Sequence, residues 1–153
     1  MTAARDTHKQ HVDRIRQELA AISNRETAMR TVVARLKEAM PHYSWVGIYL
    51  LNGDELVLGP YLGKPSPHTR IPLGRGICGA AATERTTIVV DDVNSDPRYL
   101  ACSLETQSEI VVPIMRDDVV LGEIDIDSDA KAAFGDMDRE LLESVAAILS
   151  EKL

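Results

Sequence analysis

Two Val- and Ile-rich runs, SEIVVPIM and VVLGEIDID, separated by Arg116-Asp117-Asp118, constrain this 153-residue chain more than any other stretch. Their β-branched density marks both as strands, with RDD as the turn between them. Residues two apart in a strand point to the same side, so Asp125 and Asp127 share one face. Glu109 joins them if the two strands pair across the turn. Cys102 precedes the first run on the same stretch. Three carboxylates converging near a thiol are costly, because like charges resist ionising together. A protein that keeps such a cluster binds something with it.

The remaining elements follow from periodicity. Val12, Ile15, Leu19 and Ile22 recur at helical spacing, and Met29, Val32, Val33, Leu36 and Met40 repeat the pattern up to Pro41. Ser23-Asn24-Arg25-Glu26 reads as a capping box between two helices that together span about 8–40. YSWVGIYLLNGDELVLGPYLG reads as a hairpin turning at Asn52-Gly53-Asp54, with Trp45, Gly47 and Tyr49 on one face of its first strand. Trp45 there is either a core residue or a ligand wall.

GKPSPHTRIPLGRGICGAAATERT reads as a loop entering a short helix. GRGICG lacks the Lys and Ser/Thr of a phosphate-binding loop, which excludes a nucleotide site of that kind. Cys78 falls near the helix start, where backbone N–H groups and the dipole lower a thiol pKa; the alternative is a buried structural cysteine. TTIVV is a further strand, and Cys102 follows on a loop crowded with Asp, Asn, Ser and Pro. The last element is a helix over about 136–152, with Asp136 as N-cap and Leu141, Leu142, Val145 and Leu149 facing inward. Together these predict an α+β fold: one domain over 1–153, with a central antiparallel sheet over about 43–128 and the N- and C-terminal helices packed on one side.

Composition narrows the function classes. A hydrophobic fraction of 44% and a charged fraction of 27% are ordinary for a globular domain. A net charge of −7 argues against general binding to nucleic acid or anionic membranes. No run approaches the ~20 apolar residues of a membrane span, and MTAARDTHKQ is no secretory signal, so a cytoplasmic protein is expected. Two cysteines are too few for a disulfide scaffold or a four-thiolate zinc site. No close ligand pair supports a metal site of Cys78, Cys102 and His68, and none is expected.

VGIYLL, DELVLGPYLGKP, RIPLGRGICG, ACSLETQSEIVVPI and GEIDIDS resemble the free methionine-(R)-sulfoxide reductases, a branch of the GAF-domain fold. The resemblance implies reduction of free L-methionine-(R)-sulfoxide, with Cys102 as nucleophile and Cys78 as a second cysteine used in regeneration. It further implies that Glu109, Asp125 and Asp127 hold the substrate ammonium and act on the sulfoxide oxygen. Trp45 matches the aromatic wall for the substrate methyl group, and Tyr49 lines the same pocket. It implies no bound cofactor, electrons from NADPH through thioredoxin, and a cytosolic homodimer. GAF folds also serve as small-molecule sensors, so a catalytically weakened domain that binds an amino-acid-like ligand is the competing expectation.

One departure from the family pattern stands out. Its GKxxCxRIP-type loop carries a third, resolving cysteine, whereas this loop reads GKPSPHTRIP, with His68 at that position and one extra residue before it. His68 is then either an exposed loop residue without a role or a partner of the Cys102 thiolate.

The chemistry fits the residues. A thiolate at Cys102 attacks the electrophilic sulfur. A carboxyl held protonated by crowding, Glu109 or Asp127, supplies the proton for the departing oxygen. The resulting sulfenic acid condenses with Cys78 or with an external thiol.

Overall fold

A computed structural model describes residues 2–101 and 103–153, with 2–5 represented by backbone alone. Its elements are helices α1 (Thr2–Ala20) and α2 (Arg25–Ala39), strands β1 (Trp45–Asn52), β2 (Glu55–Leu62) and β3 (Arg70–Pro72), helix α3 (Gly76–Glu84), strands β4 (Ile88–Val90), β5 (Ser108–Arg116) and β6 (Val119–Ser128), and helix α4 (Asp136–Ser150). The six strands form one sheet in the order β3-β2-β1-β6-β5-β4, and every neighbouring pair is antiparallel. This is the α+β arrangement expected from the residues, and no described helix is long and apolar enough to cross a membrane.

Strand alternation divides the sheet into two chemically different faces. Val46, Ile48, Ile110, Val112, Ile114, Ile124 and Ile126 pack with buried residues of α1, α2 and α4 in the larger core. Fully burying each such aliphatic side chain contributes roughly 1.5–3 kcal/mol. The opposite face carries Trp45, Tyr49 and Val111, covered by Ile77, Cys78, Ala81 and Ala82 of α3 and by Leu56, Ile71, Val90 and Val93. Both hairpins turn in two residues. Gly53 in one and Asp117 in the other adopt positive φ, the geometry such tight turns demand.

Local details differ from the sequence reading. Helix α2 is capped by Asn24 and not Ser23: Asn24 Oδ1 accepts the Thr27 amide at 2.9 Å. Glu26, freed from a capping box, pairs with Arg30 at 2.9 Å. At α4 the cap is Gly135, and Asp136 already lies in the first turn. Asp138 fixes that start, because its Oδ2 accepts the Gly135 N–H at 2.9 Å while its Oδ1 accepts the Tyr43 hydroxyl at 2.7 Å. The segment read as a continuous loop before α3 contains β3, whose Ile71 pairs with Leu56. The TTIVV strand contracts to Ile88–Val90, followed by a single 3-10 turn at Val93–Ser95.

Candidate functional site

Register places the acids. On β6, Asp127 is flanked by Trp45 of β1 and Glu109 of β5; Asp125 by Gly47 and Val111; Glu123 by Tyr49 and Pro113. Paired residues project to the same side of a sheet, so these three rows form one surface. Glu109, Asp125 and Asp127 therefore share a face, as the alternation and hairpin predict. Glu123 belongs to the same row and was not singled out from the sequence. The signal that would have found it is the period-two continuation of the Asp125–Asp127 pattern.

A cavity of about 30 Å³ lies on this surface, lined by Glu109, Asp125 and Asp127, by Trp45, Tyr49, Ser66 and His68, and by the apolar Ile71, Ile77 and Leu100, with Gly76 and Cys78 of α3 completing it. No Lys or Arg side chain lines it among the described residues.

The carboxyls are deeply withdrawn from water: Glu109 is 6%, Asp125 5%, Asp127 2% and Glu123 0% exposed. Burial raises the Asp125 pKa, an effect partly opposed by its hydrogen-bonding neighbours Glu109 and Cys78. Burial, and then the charge of Asp125, raises that of Glu123 well above the carboxylate range. Neither Glu123 carboxyl oxygen has a hydrogen-bond partner among the described residues.

Cys78 lies in the first turn of α3, as expected, but its thiol is not activated there. Burial pushes its pKa up, and the negative charges of Asp125, Glu123 and Glu109 add to the shift. The magnitudes explain the reversal: a helix N-terminus contributes about 0.3–1 kcal/mol, whereas full desolvation moves a pKa by up to ~3–5 units, at about 1.4 kcal/mol each. Desolvation wins. Cys102 lies outside the described residues, so its assignment as nucleophile rests on the sequence.

Aromatic residues shape the entrance. Trp45 donates its indole N–H to the Lys64 carbonyl at 2.9 Å and stacks on Tyr61 with ring centroids 5.6 Å apart. Its ring lies against Gly47 so closely that a Cβ there would sit 2.6 Å from Cζ3. Tyr49 donates its hydroxyl to the His68 carbonyl at 2.7 Å, and burial, then Asp125, raises its phenol pKa. His68 Nε2 lies 3.0 Å from the Ala101 carbonyl oxygen, and its backbone N–H donates to Ser66 Oγ at 3.1 Å. An exposed ion pair between Lys64 and Glu105 at 2.9 Å further ties the β2–β3 loop to the loop after residue 100. His68 is therefore placed against the backbone of the residue preceding Cys102 in the chain.

The GAF domain family profile matches residues 24–153. GAF domain-containing protein A of Dictyostelium discoideum is 38% identical over 132 residues, covering 86% of this chain and 82% of that protein. The free methionine-R-sulfoxide reductase of Escherichia coli is 38% identical over 120 residues, covering 78% and 72%. Among solved structures, the free methionine-R-sulfoxide reductase of Neisseria meningitidis in complex with its substrate superposes with a TM-score of 0.90 at 38% identity, covering 95% of this chain and 87% of that one.

Proposed function

The chain belongs to the GAF domain family, and on that premise we propose that it reduces free L-methionine-(R)-sulfoxide to methionine. The observation that carries this reading is the acidic surface of the cavity. Glu109, Asp125 and Asp127 lie together on adjacent strands, buried, with no basic side chain among the described lining residues. Such a surface receives a cation, and the α-ammonium of a free amino acid satisfies it in a way that a peptide-bound methionine, lacking that group, does not. Trp45 supplies an apolar wall for the methyl end. The names of the E. coli and N. meningitidis proteins support the same substrate.

In the proposed reaction the Cys102 thiolate attacks the sulfoxide sulfur. Methionine leaves as the oxygen is retained on Cys102 as sulfenic acid, with a proton supplied by Glu109 or Asp127. Condensation of the sulfenic acid with a second thiol then forms a disulfide and releases water. Cys78 is one such thiol. Its raised pKa makes it slow as a nucleophile unless a neighbouring carboxylate accepts its proton, which favours an external thiol. Recycling by a thioredoxin-like reductant, a homodimeric state and a cytoplasmic location belong to the same proposal.

The second reading, a GAF domain that binds a small amino-acid-like ligand without efficient turnover, is favoured by His68 in the loop where the reductases carry a resolving cysteine. Coupled oxidation of NADPH through thioredoxin, with the R- and S-epimers of free methionine sulfoxide, separates the two. R-specific turnover supports the reductase. If neither steady-state turnover nor a single-turnover release of methionine occurs, the reductase reading falls and the binding module stands.

A further inference from the structure

The interior end of the cavity brings together donors from three elements: Cys78 of α3, Glu109 of β5 and Asp125 of β6. One donor atom from each lies within 4.8 Å of the other two, and all three residues are buried. We propose that these three groups bind a divalent, thiophilic cation of the Zn²⁺ class. The sequence expectation of no metal rested on the absence of a close ligand pair along the chain; folding supplies the proximity that spacing does not. The cation would share Cys78, Glu109 and Asp125 with the reaction proposed above, so ion and substrate ammonium would compete for the two acids.

The geometry suits zinc. Bonds of about 2.3 Å to sulfur and 2.0–2.2 Å to oxygen separate donors by roughly 3.5 Å around a tetrahedral ion, so a small inward rotation of the side chains closes the shell. One sulfur and two carboxyl oxygens leave a fourth position, on the cavity side. The donor chemistry selects the ion, because a thiolate favours zinc over the hard, oxygen-seeking Mg²⁺ and Ca²⁺.

A second observation points the same way. Asp125, one of the three donors, is 5% exposed and lines the cavity, and its Oδ1 has no hydrogen-bond partner among the described residues. A buried carboxyl oxygen without a partner is costly. A cation beside Cys78 relieves that cost for the whole cluster. Binding converts the Cys78 thiol to a thiolate and releases its proton, together with any held by Asp125 and Glu109, to solvent. No electron moves.

The test uses the reduced, full-length protein. Zn²⁺ is titrated against a chromophoric chelator, and Cd²⁺ serves as a spectroscopic stand-in whose thiolate-to-metal charge-transfer band reports sulfur ligation. The expected result is one Zn²⁺ per chain, a Cd–thiolate band that survives Cys102→Ser, and loss of that band in Cys78→Ser. Asp125→Asn, which keeps the thiol, weakens Zn²⁺ by roughly tenfold or more. Metal-free thermal unfolding of each variant shows that it folds. Failure of the wild type to bind Zn²⁺, or a band that survives Cys78→Ser and vanishes with Cys102→Ser, overturns the assignment. Both readouts are taken in the absence of sulfoxide, so failure here is distinguishable from failure of the turnover assay.

Discussion

The imidazole of His68 contacts the Ala101 carbonyl oxygen at 3.0 Å, joining the loop after β2 to the chain immediately before Cys102. Lys64–Glu105 is a second polar link between those loops among the described residues. Both are solvent-exposed, so neither contributes much to global stability. His68→Ala is expected to speed hydrogen exchange in residues 63–69 and 96–101 with little change in global stability. The same variant tests the pairing idea through alkylation of Cys102: if its rate profile from pH 5 to 8 matches wild type, His68 does not stabilise that thiolate.

Gly47→Ala is expected to displace the Trp45 ring, since the added methyl meets Cζ3 and Cζ2 at 2.6 and 3.1 Å. Overpacking of this kind costs roughly 1–3 kcal/mol. Trp45 is the only tryptophan in the chain, so its emission reports the shift directly. Ligand affinity should fall in parallel with the spectral change.

Glu123→Gln carries a pH signature. The folded-state pKa of Glu123 lies well above its ordinary value of 4.5, so between those two values the native state binds more protons than the unfolded chain. Stability associated with this group is therefore fully present below pH 4.5 and lost as pH rises toward the raised value. The glutamine variant should show a shallower fall in stability with rising pH. Urea unfolding at intervals from pH 4 to 8 measures it, and parallel curves for the two proteins would contradict the prediction.

Asp138→Ala should destabilise by about 2–4 kcal/mol, because the buried Tyr43 hydroxyl and the Gly135 N–H both lose their acceptor. Asp138 is not among the residues lining the cavity. Ligand affinity measured at low temperature should stay at the wild-type level, separating a fold contact from a site contact.

How much of this was legible in the residues depended on the range of the interaction. Alternation in VVLGEIDID and the RDD turn are local, and they led directly to the shared face of Glu109, Asp125 and Asp127. The same logic covered Glu123, but a glutamate beside a hairpin turn reads as solvated until the strand pairing buries it. Cys78 shows the limit more sharply. Its place at a helix start is a local property and was read correctly, whereas its pKa is governed first by burial under the packed sheet and then by the acids of β5 and β6. The α4 cap shifted by one residue for a related reason: the tether of Asp138 to Tyr43 spans most of the chain and holds the residue that fixes where α4 begins.

The two-faced sheet also guards its own assembly. On β6, Ile124 and Ile126 alternate with Glu123, Asp125 and Asp127, the first set packed with the helices and the second turned away. Sliding β6 by a single residue would drive three carboxyls among Leu19, Leu36 and Leu142 and strand the isoleucines on the cavity side. The acids thus act during folding as well as afterwards. They penalise every odd-numbered misregistration of the hairpin.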